Sequence, residues 1–244
     1  MKKLAMLMML AAIPVAADPV PTNITVRVIA RDAKAIYNAV GGAWVTITDR
    51  GTGKVLAEGP HAGTSAGSTQ KIMIDPRRRG ETAFATPDAA KFETTLPLDR
   101  PTVVVIAARG PLHFPQAERS ATKTLLLLPG EHITGEGVLL EIHGLIVVAK
   151  PPQTRGTMTD VEATVQMACG CPVEPEGIWN ASEFQVTATL IGRNGKRGAA
   201  LPMRWDEGRW IVSLPHPAAG PAAIEVIAAH TPTANFGVHK LELE

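Results

Sequence analysis

The chain has little of several things that most functional classes need. It holds two cysteines and one tyrosine, and aromatic residues make up only 4% of it, so any core must rest on Val, Ile, Leu and Ala. It has no apolar run of the ~20 residues that a spanning helix requires. No phosphate-binding pattern occurs, neither G-x-G-x-x-G nor G-x-x-x-x-G-K-[ST], which removes dinucleotide and P-loop chemistry. The formal net charge is only +1, without the concentrated basic footprint that nucleic acid or an anionic membrane demands. The seven histidines (His61, His113, His132, His143, His216, His230, His239) never pair at H-x-H or H-x-x-x-H spacing. Glu141 and His143, two apart on one strand face, make half a site at most. No helical pattern longer than two turns is present; "PDAAKF" and "PQAERSATK" are weak candidates.

What is present is punctuation and alternation. Proline (20) and glycine (22) are abundant and separate short β-branched runs, which reads as strands joined by turns. "ITVRVIA" (24–30) puts Ile24, Val26 and Val28 on one face and Thr25 and Arg27 on the other, a half-buried strand. "AWVTITDRGTGKVLAEG" (43–59) reads as strand, turn, strand, and "KIMI" (71–74) as a short strand. "KFETTLPLD", "PTVVVIAA", "TKTLLLLPG" and "GVLLEIHGLIVVAK" complete a first unit. After a Pro/Gly-bearing polar stretch the same style resumes with "VEATVQMAC", "FQVTATLIG", "RWIVSLP", "AAIEVIAAH" and "GVHKLELE". Asn194-Gly195 and Asp206-Glu207-Gly208 are hairpin signals. The expectation is all-β: two tandem antiparallel β-sandwich domains, over 18–150 and 157–244, with a linker at 151–156.

Residues 1–17 read as a signal peptide. Lys2 and Lys3 precede an apolar stretch from Leu4 to Ile13, and the small residues Val15-Ala16-Ala17 close it. Loss of the two lysines takes the net charge from +1 to −1. The mature chain is expected to be periplasmic or secreted, with no membrane span.

The residues "GAWVTITDRGTGKVLAEG", "GTSAGSTQ" and "FETTLPLDRPTVVVIAA" make the first unit similar to the transthyretin-like (prealbumin-like, carboxypeptidase-regulatory-like) sandwich family. The second unit resembles bacterial Ig-like modules. The resemblance implies a binding or spacer module and carries over no catalytic residues.

Three features bear on chemistry. Gly63-Thr64-Ser65-Ala66-Gly67 matches G-x-S-x-G, but a nucleophile elbow needs a strand before the serine and a helix after it. A Gly/Ser/Thr loop supplies neither, so Ser65 is read as a loop residue and the protein as no enzyme. The long loops 59–70 and 75–90, with Thr64, Ser65 and the basic run Arg77, Arg78, Arg79, are read as partner-facing. The third feature is Cys169-Gly170-Cys171, the only cysteines in a chain addressed to an oxidising compartment, where free thiols seldom last.

Residues i and i+2 of a strand lie too far apart for the ~3.8 Å Cβ separation of a disulfide, so a bond between these cysteines needs a turn at Gly170 and would be strained. The alternatives are thiolates holding a soft metal, copper or zinc, with Met167 as a further ligand; inert packing; or pairing with another protein. Trp179 is read as a cap on that site or an anchor for a partner. The expected function is an exported, non-enzymatic binding or adaptor protein whose partner is another exported protein. The alternative is a redox or soft-metal protein acting through Cys169 and Cys171.

Overall fold

A computed structural model describes residues 18–65, 72, 73, 75, 81–84, 86–217 and 220–243. The proposed signal peptide and Arg77, Arg78 and Arg79 lie outside the described residues. The described residues are all-β, as expected: several sheets, no long helix among them, and none of the sheets closed into a barrel.

The first unit stacks two sheets. One contains β4 (Phe92–Leu98), β1 (Val20–Ala30) and β7 (Ile133–Ile142), in that order. The other runs β3 (Val55–His61), β2 (Ala43–Asp49), β5 (Thr102–Gly110), β6 (Arg119–Leu127). Period-two alternation fills the space between them, with Ile24, Val26 and Val28 meeting Val45, Ile47, Val104 and Ile106. The β2–β3 turn is held by Asp49, whose carboxylate accepts from the amides of Gly51 (2.7 Å) and Thr52 (3.2 Å). Those amides hold its carboxyl below the usual range.

Among the paired strands described, the purely antiparallel expectation fails in one ladder. β1 pairs with β7 in parallel, Val26 opposite Val138, because the chain crosses the sandwich before returning beside its first strand.

The second face of β1 is not exposed either. Ile29, Ala35, Ile72, Phe84, Ala89 and Ala90 form a small separate apolar cluster over it. Arg27, expected on a solvated face, is therefore only 5% exposed. Its guanidinium donates to the carbonyls of Gly135, Ala89 and Ala90 and lies 4.7 Å from the centre of the Phe84 ring. Ile72 and Met73 join or flank this cover and are not part of a β-strand; Lys71 and Ile74, the other residues of the strand expected at 71–74, lie outside the described residues. His61 is also fully enclosed. Its Nε2 accepts from the Val28 amide at 3.0 Å, and burial drives its pKa down to about 4, leaving it neutral.

The second unit is larger than the sequence suggested. β8 (Leu145–Ala149), expected to close the first unit, is hydrogen-bonded to β10 (Met158–Met167) of the second. The stretch taken for a linker contains β9 (Gln153–Arg155), which also pairs with β10. Pro151 and Pro152 separate β8 from β9 because neither has an N–H to give a ladder. The change of sheet falls instead at His143–Gly144, inside what reads as one apolar run.

β10 continues to β14 (Arg209–Pro215) and β13 (Arg204–Asp206). The facing sheet runs β12 (Leu201–Pro202), β11 (Gln185–Gly192), β15 (Pro221–His230), β16 (Asn235–Glu242). The β13–β14 hairpin turns at Glu207 and Gly208, both at positive φ, as the Asp-Glu-Gly signal indicated.

The two units share one continuous apolar cluster and a polar seam. Asn235, fully buried, donates from Nδ2 to the Arg31 carbonyl (3.0 Å) and accepts from the Gly144 amide (2.9 Å). Gln116 donates to the Val147 carbonyl at 3.2 Å.

Candidate functional site: the C-G-C turn

β10 presents Val161, Ala163, Val165 and Met167 to the core and then must reverse. It does so in three residues, Ala168-Cys169-Gly170. The Gly170 amide donates to the Met167 carbonyl (2.7 Å), and the Met167 amide donates to the Cys171 carbonyl (2.9 Å). This is the three-residue hairpin connection whose last loop residue is left-handed. Gly170 supplies that conformation with φ +81, and a Cβ there would lie 2.7 Å from Cγ1 of Val40. Gly170→Ala is therefore expected to destabilise the protein by about 2 kcal/mol, from the positive φ and the contact together. A thermal melt checks this, and an unchanged midpoint would show that the turn relaxes freely.

The reversal brings together two side chains that an extended strand would keep apart. The Cys171 thiol is a hydrogen-bond donor to the Cys169 sulfur. The same sulfur accepts from the backbone N–H of Lys34 and from that of Cys171, and the Lys34 ammonium contributes its charge. These donors outweigh burial and bring the Cys169 thiol down to about 7. The Cys171 thiol is pushed up, because its proton is shared with Cys169 and because it is desolvated. The pair thus loses its first proton near neutrality and keeps the second between the sulfurs. Tyr37 stands close enough that both cysteines, after burial, hold its phenol above the ordinary range. Both cysteines are free thiols here; Cys169 is buried and Cys171 is half-exposed.

The site belongs to both units. Lys34, Tyr37 and Val40 come from the loop after β1, and the turn comes from the second unit. Nothing in the sequence pointed to Lys34. Its larger contribution is a backbone N–H, which any residue type could carry; its ammonium charge adds a smaller one.

Trp179 is placed differently from the expectation. It is buried, and its indole N–H donates to the Asp32 carbonyl at 2.7 Å, so it braces the two units and offers no anchor to a partner. Met167 is fully buried, its amide and carbonyl both holding the turn. Among the described residues, no group of three or more His, Cys, Asp or Glu is placed to hold a metal ion. The donor set at this point is two sulfurs, short of the four ligands of tetrahedral zinc but chemically suited to a soft monovalent ion.

Thr64 is exposed but pinned: its amide and hydroxyl donate to the Asp88 carbonyl (2.8 and 3.3 Å), and its own carbonyl accepts from Ala90. Ser65 is half-buried and follows an isolated bridge between Thr64 and Ala89, not a strand. The described parts of these loops fold back on the first sheet, which qualifies their reading as partner-facing. His143 does sit 3.8 Å from Glu141, which also pairs with Arg31 at 3.2 Å.

No family model matches this chain, and no curated protein matches it. Among solved structures, a protein of Bacteroides ovatus described as a DUF3823 family protein is similar over 91% of this chain and 100% of its own, at 10% identity and a TM-score of 0.32. A likeness at that score bears on neither fold nor function.

Proposed function

We propose that this is an exported, non-enzymatic binding or adaptor protein, made of a transthyretin-like unit and an Ig-like unit, whose partner is another exported protein. Two of the three stretches that resemble the transthyretin-like family, 42–59 and 92–108, fall on the consecutive strands β2, β3, β4 and β5, which supports that assignment for the first unit. The observation that carries the binding role is an apolar strip on the outer face of the β3-β2-β5-β6 sheet. Val103 and Leu126 are cross-strand neighbours, 40% and 54% exposed, and Leu128 follows at 43%. β6 is the outermost strand of that sheet, so the strip lies beside backbone groups that can take another chain. Leu126→Lys is expected to abolish retention of a partner from the exported proteins of the source cell while leaving the melting midpoint unchanged. Equal retention by wild type and variant would remove this surface from the account.

A second reading is favoured by a separate observation, the convergence of two thiols on one hydrogen-bonded sulfur at the seam. It is a redox or soft-metal role, copper before zinc, through Cys169 and Cys171.

A further inference from the structure

We infer that Cys169 and Cys171 are a dithiol that exchanges with an external disulfide entering at Cys171, and that closing the Cys169–Cys171 bond frees the loop between β1 and β2 from the turn. The inference rests on the second reading above, that the thiol pair is a functional site.

Access assigns the roles. Cys169 is buried beneath the first unit's loop, whereas Cys171 keeps part of its surface in solvent. An incoming disulfide therefore meets Cys171 first. The Cys171 thiolate attacks one sulfur of that disulfide, and the external S–S bond breaks. One external thiolate leaves. That thiolate takes the proton of the Cys169 thiol, and the Cys169 sulfur then attacks the Cys171 sulfur of the mixed disulfide and expels the second external thiolate. Two protein sulfurs are oxidised, the external disulfide is reduced to one thiol and one thiolate, and one proton and one negative charge are conserved throughout.

The hairpin is what makes the second attack possible, since it already holds the sulfurs in contact. The ring it closes spans only three residues and is strained, which places the bond among the readily reduced disulfides.

Closure also changes the seam. The Cys169 sulfur now accepts hydrogen bonds from the Lys34 and Cys171 amides and feels the Lys34 charge. In a disulfide that sulfur is neutral and a poor acceptor, so the Lys34 amide loses its partner across the seam. Val40, against Gly170, belongs to the same loop. Oxidation is thereby expected to loosen residues 31–40 without unfolding either unit.

The test uses the full mature chain, reduced, in buffers with a graded ratio of reduced to oxidised glutathione. Samples are quenched in acid, alkylated and weighed intact. Wild type should lose the mass of two hydrogens and both alkylation sites together, reversibly, in the more oxidising buffers. Cys169→Ser should stop with one glutathione on Cys171. Cys171→Ser should react at least about tenfold more slowly than wild type, because its remaining thiol is buried. Trypsin should cut after Arg31 or Lys34 faster in oxidised than in reduced wild type.

Two alkylatable thiols at every ratio would overturn the exchange, and so would a Cys171→Ser variant as reactive as wild type. Unchanged tryptic cutting would overturn the coupling to the seam. A native mass carrying copper or zinc, absent from the Cys169→Ser/Cys171→Ser variant, would overturn the exchange and leave the thiol-site reading standing. Two inert thiols with no metal would remove both. The wild-type series needs no substitution, so a variant that fails to fold does not spare the inference.

Discussion

Arg27→Ala is expected to lower the stability of this protein by about 3 kcal/mol, seen as a fall in the urea midpoint with little change in slope. The side chain lies under the cover formed by Ile72, Phe84, Ala89 and Ala90, where its guanidinium answers three backbone carbonyls. Truncation leaves those carbonyls without donors and opens a void beside the Phe84 ring. Burial lowers its pKa, and the nearby charges of Glu93 and Glu136 oppose that shift. Arg27→Met separates the two causes. It restores bulk but no donor, and is expected to recover less than half of the loss. If Arg27→Met matched wild type, packing alone would explain the site and the hydrogen bonds would count for nothing.

Acid is expected to weaken the fold through His61. The unfolded chain takes up a proton on this residue near pH 6.5, whereas the folded protein resists until about pH 4. Above the unfolded value both states are neutral and stability is flat in this group. Between the two values only the unfolded state is protonated, so stability falls as pH falls, by ~1.4 kcal/mol per pH unit and about 3 kcal/mol in all. Urea midpoints at pH 7.5 and 4.5 measure it. His61→Gln, whose amide oxygen can still accept from Val28, should lose much of the difference. Equal differences in wild type and His61→Gln would assign the acid sensitivity elsewhere.

Much of the fold was legible because alternation is a local property. The inward positions of β1, β2, β5 and β10 follow from reading every second residue, and the Asp206-Glu207-Gly208 turn follows from its composition. What misled was non-local. "GVLLEIHGLIVVAK" reads as one run because β7 and β8 are both apolar; only their partners, β1 and β10, tell them apart. Arg27 reads as an outward residue until a loop more than forty residues downstream covers it. At the candidate site, the cysteines and the turn glycine were visible in the sequence. The Lys34 amide was not, because a backbone donor leaves no mark on residue type. Trp179 reads as a cap or a partner anchor; it is buried, and the carbonyl that fixes it belongs to Asp32 of the other unit.

The parallel pairing of β1 with β7 sets an order of events. Strand β1 is synthesised first, yet its partners are Phe92 to Leu98 and Ile133 to Ile142. The carbonyl just past its end waits longer still, because Arg31 is met by Asn235, 204 positions away. A nascent chain therefore cannot complete this sheet until residue 142 has emerged, and cannot close the seam until residue 235 has. Such long-range closure is slow. Until β7 has emerged, one edge of the apolar strand β1 is unpaired, and it is there that a chaperone would find something to hold.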